Sequence, residues 1–141
     1  MMAKWNALVI AEADTLGFLT STILKREGFE VTVVDPSGSG SIEEVYGEIS
    51  AKKYDAILPT NNGLTPSKIL ELIPEIRKRN RDAKIIVLSG HFSADFVREL
   101  RKKDVDGFLP MPFRSEDLVR KVKESLNRKD SSQKECMRRR I

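Results

Sequence analysis

Residues 84–90, KIIVLSG, and residues 107–113, GFLPMPF, decide the fold. The first begins with an apolar run that ends at small polar residues, as a buried parallel strand does where it meets a loop. The second predicts a strand at 107–109 followed by a turn. Between them, Ser93 is placed to begin a helix with Phe96, Val97 and Leu100 on its inner face. The two segments therefore predict consecutive parallel strands joined by a helix.

The same alternation extends toward the N-terminus. Three further runs have the length and composition of buried strands, namely residues 7–10, 31–34 and 54–58. Four apolar residues recur at helical spacing before the helix-ending Gly28: Leu16, Leu19, Ile23 and Leu24. Strands alternate with helices throughout, and this order predicts an α/β fold with a parallel sheet and helices on both of its faces.

The starts of the helices also have sequence signals. Ser41 opens a capping box for the second helix, and Thr65 followed by Pro66 suits the N-cap and first position of the third. Pro74 is expected to kink the third helix. Ser115 is placed to cap the last helix. Residues 59–64, PTNNGL, are expected to form the loop after the third strand.

Binding sites in parallel α/β sheets lie beyond the carboxyl ends of the strands. That edge is predicted to gather Ala11, Glu12, Pro59, Thr60, Ser89 and Met111. The sequence has no internal repeat and no dinucleotide-binding fingerprint, so these residues are the first candidates for a functional site.

The composition indicates one globular domain. Apolar residues make up 40% and charged residues 33% of the 141 residues, which suffices for one substantial core. We expect a domain at residues 1–127 and a basic, disordered tail at residues 128–141. The tail holds six basic and two acidic residues, so it accounts for the whole formal charge of +4 and leaves the body neutral. A neutral body disfavours a nucleic-acid groove.

Cys136 is the only cysteine, so no disulfide framework or cysteine-based metal cluster is expected, and a reducing cytoplasm fits this composition. No apolar run approaches the roughly 20 residues that cross a bilayer, which predicts no membrane segment.

Over about residues 4–127 the sequence resembles the receiver domains of response regulators. The likeness rests on LVIAE at 8–12, IIVLSG at 85–90 and GFLPMPF at 107–113. It implies a flavodoxin-like, doubly wound (βα)5 sandwich whose five-stranded parallel sheet has the order 2-1-3-4-5. In that family an acidic pair and a phosphoacceptor Asp hold Mg²⁺, a hydroxyl residue contacts the phosphoryl group, and a Lys pairs with it.

The residues at the matching positions of this chain lack most of that chemistry. Of the acidic pair, Ala11 takes the first place and only Glu12 remains. The phosphoacceptor position falls on Thr60, or on Pro59 if the gap is placed one residue earlier. Ser89 retains the hydroxyl, and Met111 stands where the Lys should be. Phe108 occupies the family's aromatic switch position. Asp55 lies too near the start of its strand to substitute for the missing phosphoacceptor Asp. The resemblance thus predicts a degenerate pseudo-receiver.

Several alternatives remain open for single residues. Glu12 could be a remnant metal ligand, although a lone carboxylate is more often solvated. Thr60 could be a kinase substrate, although a loop threonine beside Asn61, Asn62 and Gly63 is more often part of a turn. Ser89 with His91 could form a nucleophile and base, but the sequence offers no acidic partner for them, and a receiver-type loop explains them more simply. Met111 is expected to fill the emptied pocket, and the alternative is that it lines a cleft for a small ligand.

These observations predict a non-enzymatic, stand-alone signalling module that needs no cofactor and acts through phosphorylation-independent protein contacts. The expected surface is formed by helix four, strand five and helix five, and it also offers a route to a homodimer. Its residues are Phe96, Arg98, Arg101, Lys102, Phe108 and Arg120. The alternative function is a small-molecule sensor that uses the emptied phosphorylation pocket. Nucleic acid is not expected as a partner, because the body of the chain has no net charge and the basic tail alone would bind it weakly. No membrane partner is expected.

Overall fold

The structure is a computed structural model that describes residues 5–12, 16–36, 42–61 and 64–127. The described chain alternates strands and helices in the predicted order. The strands are β1 (Asn6–Ile10), β2 (Glu30–Val34), β3 (Ala56–Pro59), β4 (Lys84–Ser89) and β5 (Gly107–Pro110). The helices are α1 (Leu16–Arg26), α2 (Ile42–Ala51), α3 (Pro66–Arg79), α4 (Ala94–Lys102) and α5 (Ser115–Asn127). The predicted cap at Ser41 and the predicted tail at 128–141 lie outside the described residues.

All strand pairs are parallel, and the sheet order is β2-β1-β3-β4-β5. This confirms the predicted flavodoxin-like (βα)5 topology. Leu8 of β1 lies between Thr32 of β2 and Ile57 of β3, and Val87 of β4 lies beside Phe108 of β5. Every strand therefore presents its carboxyl end at the same edge of the sheet, which we call the carboxyl edge.

The core is split by the sheet into two apolar layers, because successive residues of a strand point to opposite faces. Leu8 and Ile10 belong to the layer beneath α2, α3 and α4. Ala7 and Val9 belong to the other layer, beneath α1 and α5. In the described chain no helix is long and apolar enough to cross a membrane.

Several predicted helix boundaries are confirmed by local hydrogen bonds. The Thr65 side chain accepts from the backbone N–H of Lys68 at 3.2 Å, and the Ser93 side chain accepts from that of Phe96 at 3.1 Å. Gly28 has a φ of 91°, the left-handed conformation expected after a helix. Helix α3 continues through Pro74, and the kink there stays a prediction.

Three local expectations were wrong. Ser115 is the first residue of α5 and not its cap, since the Arg114 carbonyl accepts from the backbone N–H of Leu118. Pro59 is the last residue of β3 and not part of the following loop. Leu19 is 50% exposed, so it does not belong to the buried face of α1.

Opposite the carboxyl edge, two side chains join helices to the sheet. The Asn80 amide accepts from the backbone N–H of Tyr54 and donates to the carbonyls of Ile49 and Lys52, at 3.2, 2.9 and 2.7 Å. It thereby fixes the entry into β3. Strand β3 begins at Ala56, two residues after the predicted start at Tyr54.

Asp106 also lies at the edge opposite the carboxyl edge, next to β4 and β5. It is 3% exposed and accepts from the backbone N–H of Ile85 at 2.8 Å. Arg77 of α3 pairs with the same carboxylate at 3.2 Å and donates to the carbonyls of Ala83 and Asp104. One guanidinium thus connects α3 with the starts of β4 and β5.

Candidate functional site

The carboxyl edge brings the predicted site residues together, and its backbone is already paired. Hydrogen bonds continue the sheet one or two residues beyond the strand ends. They run from the N–H of Ala11 to the Val34 carbonyl at 3.1 Å, from Thr60 to Ile10 at 3.0 Å, from Asn61 to Leu88 at 2.8 Å and from Met111 to Ser89 at 2.8 Å. The sheet therefore fixes the backbone positions of these candidate residues.

Thr60 occupies the centre of this edge. It forms a bridge to Leu88, whereas Pro59 pairs with Ile10 inside the sheet, so Thr60 is the residue that stands level with Ala11. Its side chain is fully buried, and its hydroxyl donates to the Ile10 carbonyl at 2.9 Å. A kinase cannot reach this hydroxyl without local unfolding, which argues against Thr60 as a substrate residue.

Ser89 is also fully buried, and its hydroxyl is engaged with the loop that follows β4. It donates to the His91 carbonyl at 2.9 Å and accepts from the His91 backbone N–H at 3.1 Å. Both bonds go to the backbone of His91, whose side chain is exposed. The arrangement is a serine turn, and neither of its bonds joins a hydroxyl to an imidazole as a nucleophile and its base would be joined.

Glu12 is half-buried at the start of the β1–α1 loop, and its backbone is held by Gly17. The N–H of Gly17 donates to the Glu12 carbonyl at 3.1 Å, and a Cβ at position 17 would lie 2.5 Å from that oxygen. Only glycine allows this approach. The sequence offered one signal for it, a glycine inside a helical pattern. No cluster of three or more potential metal-binding side chains occurs among the described residues.

Met111 is half-buried and packs, together with Phe113, against the apolar layer beneath α1 and α5. The peptide bond between Met111 and Pro112 is cis. A thioether carries no charge, so Met111 contributes packing to this edge and supplies no cation for a phosphoryl group. The pocket-filling role of Met111 stays a prediction.

Phe108 belongs to an aromatic cluster that the sequence reading missed. Phe92, in the loop after β4, stacks on Phe96 with ring centroids 5.7 Å apart and tilts against Phe108 at 5.2 Å. Phe96 is 5% exposed, so its predicted place on the interaction surface is wrong: the ring packs into the core. The cluster connects the loop after Ser89 with α4 and β5.

The other four residues predicted for the interaction surface are exposed, namely Arg98, Arg101, Lys102 and Arg120. Ala94, Val97, Arg98, Arg101 and Lys102 line a shallow groove of about 660 Å³ along α4. Arg98 pairs with Asp95 at 2.9 Å and Lys102 with Glu99 at 3.3 Å, both within one helical turn. On α5, Arg120 pairs with Asp117 at 3.3 Å. Such exposed pairs contribute little to stability, so these charges are available to a partner.

No protein-family model matches the chain. It is 36% identical to sensor kinase CckA of Brucella abortus (strain 2308) over 89 residues, which are 63% of this chain and only 9% of CckA. It is 25% identical to chemotaxis protein CheY of Bacillus subtilis (strain 168) over 122 residues, which are 85% of this chain and 96% of CheY. The match to CheY thus spans nearly the whole of that protein.

A solved structure shows the same fold. The CheY-like response regulator receiver domain protein of Methanospirillum hungatei JF-1 has a TM-score of 0.76 at 21% identity, covering 89% of this chain and 95% of that chain. The chain thus has the fold of CheY-like response-regulator receiver domains, and its sequence is similar to proteins that contain such a domain.

Proposed function

We propose that this receiver acts in signal transduction through protein contacts that do not depend on aspartyl phosphorylation. The proposal rests on the burial and hydrogen bonding of the Thr60 side chain. The residue at the end of β3 has no carboxylate, is fully buried and donates its hydroxyl back to Ile10. An acyl phosphate requires a carboxylate that a phosphodonor can reach.

The other residues of the edge support the same conclusion. Mg²⁺ prefers octahedral oxygen ligation, and Ala11 beside Glu12 leaves one carboxylate where the family has two. Phosphoryl transfer is stabilised by positive charge on the phosphoryl oxygens, and the Met111 thioether supplies none. In this proposal the domain is not an enzyme and needs no cofactor.

The surface proposed for a partner is the exposed side of α4 with the neighbouring part of α5. Its charge is mixed, because Arg98, Lys102 and Arg120 lie beside the carboxylates with which they pair, and Arg101 adds a further cation in the groove. Val97 adds apolar area within the same groove. A protein with an acidic patch fits this surface, since complementary charge speeds association and selects partners. We place this interaction in the cytoplasm on the basis of cysteine usage. Homodimerisation through the same surface stays a prediction.

The alternative function, a small-molecule sensor, receives less support from the geometry. A ligand at the carboxyl edge would need convergent polar groups. The hydroxyls of Thr60 and Ser89 both donate to backbone carbonyls, and Met111 packs against the core. A ligand would have to displace these contacts before it could bind there.

The test is a thermal-shift measurement with Mg²⁺, with and without beryllofluoride as a phosphoryl mimic, beside a nucleotide and metabolite panel. We expect no shift at concentrations that stabilise an intact receiver, because only binding to the native state raises its stability. Incubation with acetyl phosphate should add no phosphoryl group to the intact mass. The matched variant combines Ala11→Asp, Thr60→Asp and Met111→Lys, which restores the three missing groups.

A Mg²⁺-dependent shift in the wild-type protein would overturn the proposal. A shift produced by one metabolite without Mg²⁺ would instead support the sensor.

A further inference from the structure

Strand β2 is an outer strand of the sheet, and one side of its backbone faces no other strand. In the described chain it pairs with β1 alone. The N–H of Glu30 donates to the Trp5 carbonyl at 2.8 Å, and the Val34 carbonyl accepts from the residue after β1 at 3.1 Å. Because successive residues of a paired strand turn their backbone groups to opposite sides, those of Val31 and Val33 point away from β1. We call this side of the strand the β2 edge.

The β2 edge lacks the features with which proteins protect an edge strand. Protected edges are short, or carry lysine, proline or a bulge. Strand β2 has five residues, EVTVV, and every residue after Glu30 is β-branched and favours strand structure. At the other edge of the sheet, β5 has four residues and ends at Pro110, which has no N–H to donate. The two edges therefore differ, and β2 is the one suited to pair with a further strand.

One flank of helix α1 lies on the same side of the molecule as the β2 edge. The helix packs closely on β2, because Gly17 leaves room for the side chain of Val33. On the opposite flank Glu27 pairs with a lysine of α5 at 3.0 Å. At 3.6 residues per turn, Phe18 lies about 180° around the helix from Glu27, and Lys25 lies two turns after Phe18 on the same flank. Phe18 is 67% exposed, so an apolar ring adjoins the β2 edge.

We propose that two copies of the chain associate by pairing their β2 edges antiparallel, so that one continuous sheet runs through both copies. A two-fold axis beside Thr32 places Val31 of each copy opposite Val33 of the other. The two residues of each such pair exchange both of their N–H···O bonds. This register therefore satisfies the backbone groups of Val31 and Val33 that point away from β1.

The side chains of the strand suit a second copy in this register. On the face beneath α1, Val31 and Val33 of the two copies become cross-strand neighbours, and both pack on the apolar layer there. On the other face Thr32 lies opposite Thr32 of the second copy, which is a favourable cross-strand pair. The charged end of the strand, Glu30, falls opposite Val34. No like charges of the two strands are therefore placed directly opposite each other.

The flanks of α1 give the reason for choosing a second copy over an unrelated strand. Antiparallel strands bring the flanks of the two α1 helices together in opposite directions. Phe18 of each copy then lies beside the Lys25 end of the other, and a lysine ammonium is attracted to an aromatic face. An unrelated strand would satisfy the backbone alone. The contact uses one short strand and one helix flank per copy, so it belongs with the transient interfaces below about 1,200 Å² in total.

Such a dimer leaves the surface described under the proposed function open in both copies. Strands β1 and β3 separate β2 from β4, and α4 covers the face opposite to α1. The association would therefore present two α4 surfaces to a partner at the outer ends of one sheet.

The first test is backbone amide hydrogen exchange of the full wild-type chain, read by NMR from about 10 µM to about 1 mM, a range in which weak association is populated. We expect the amides of Val31 and Val33 to exchange more slowly as the concentration rises. The amide of Thr32 points toward β1, so it should be protected at every concentration. Sedimentation equilibrium over the same range should show a monomer and dimer in exchange.

Variants then separate the β2 edge from other surfaces. Val31→Pro removes one outward N–H from each copy and none from the pairing with β1, and proline is tolerated on edge strands. It should weaken association at least about tenfold, because two backbone bonds of the dimer are lost. Val31→Ile keeps the N–H and is the matched control. Arg98→Glu/Arg101→Glu on α4 should associate as the wild type does.

A cross-link tests the register. In a Cys136→Ser background, Thr32→Cys should form a disulfide between copies under oxidation, because residues facing each other at a non-hydrogen-bonded site have Cα atoms about 4.5 Å apart. Glu30→Cys in the same background is the matched control and should not cross-link, since Val34 of the second copy lies opposite it.

The proposal is overturned if the chain sediments as a monomer at about 1 mM, a concentration at which weak dimers form. It is equally overturned if exchange at Val31 and Val33 does not depend on concentration, if Val31→Pro associates as the wild type does, or if the Arg98→Glu/Arg101→Glu variant loses association. Equal cross-linking by the Thr32→Cys and Glu30→Cys variants would exclude the antiparallel register. None of these outcomes depends on whether the carboxyl edge binds Mg²⁺, so the proposed function can fail without this one.

Discussion

The hydroxyl of Thr60 donates a hydrogen bond to the carbonyl oxygen of Ile10 at 2.9 Å, and the backbone N–H of Thr60 donates to the same oxygen at 3.0 Å. One carbonyl of β1 thus accepts twice from the residue that follows β3. A fully buried position of this kind holds two strand ends together, which is a structural role rather than a chemical one.

Thr60→Val is expected to lower the free energy of unfolding by only about 1 kcal/mol, because the Ile10 carbonyl keeps its backbone donor and the side chains have similar volume. Thr60→Ser retains the hydroxyl and serves as the control for lost methyl packing. Urea unfolding gives both values. A loss above about 3 kcal/mol in the valine variant would show that the hydroxyl does more than this one bond accounts for.

Asn80→Ala should destabilise the fold strongly. The amide serves three backbone groups around the end of α2 and the entry into β3, and truncation leaves them without partners in a buried site. The expected loss is about 2–4 kcal/mol in urea unfolding. Exposed Arg81 provides the control, since Arg81→Ala should change stability by less than about 0.5 kcal/mol. Equal effects of the two substitutions would contradict the role given to Asn80.

Arg77 and Asp106 should be energetically coupled. Arg77→Met leaves a carboxylate buried without its cation, at an expected loss of about 3 kcal/mol. Asp106→Asn in the Arg77→Met background should cost much less than in the wild type, because the buried charge is already uncompensated there. A double-mutant cycle measures this, with an expected coupling of about 1–3 kcal/mol. Strict additivity would mean that the ion pair does not contribute.

Thr20→Val should leave stability unchanged or raise it by up to about 1 kcal/mol. Thr20 is fully buried in α1, and its hydroxyl has no hydrogen-bond partner among the described residues. Replacing an unsatisfied hydroxyl with a methyl group of similar size removes a desolvation penalty. Thermal unfolding of the variant beside Thr20→Ser tests this. A clear loss of stability in the valine variant would reveal a partner for the hydroxyl in the folded chain.

Tyr54 should make stability fall at alkaline pH. Burial raises the pKa of its phenol above the ordinary value, Glu48 adds to this rise, and a hydrogen bond with Thr32 opposes it. Below the unfolded pKa of about 10 the phenol is neutral in both states, so its contribution is fully present. As the pH rises further, the unfolded chain ionises first and the contribution is lost. Tyr54→Phe should therefore flatten the decline above pH ~10 in a series of urea midpoints.

The architecture was predictable from the sequence because its signals are local. Short apolar runs mark all five strands, and the order of strands and helices implies a parallel sheet. The buried face of α1 was not predictable in the same way. Ile23 is buried as its spacing predicted, but Leu19 is exposed, and Gly17, Thr20 and Ser21 complete the buried face. Gly17 lies so close to the Glu12 carbonyl and to Val33 that small residues are required there.

The candidate site was located from the sequence, but its internal contacts were not. The positions of Thr60, Ser89 and Met111 followed from the strand ends, since parallel strands finish at one edge. That both hydroxyls donate to backbone carbonyls depends on neighbours far apart in the chain. The same holds for Phe92, whose ring contacts Phe96 and Phe108 only because β5 lies beside β4.

Backbone hydrogen bonds join neighbouring strands beyond the strand ends at the carboxyl edge. They hold the strands in alignment without using the side chains at that edge. The amides of Ala11, Thr60, Asn61 and Met111 bond to carbonyls of neighbouring strands, and any residue other than proline can make such a bond. The alignment of the strands therefore does not require one particular side chain at these positions, although burial limits the size of the side chain at Ala11 and Thr60. A scaffold of this kind can drift in chemistry over evolutionary time without first becoming unstable, and its edge loops are suitable places to graft new recognition sequences.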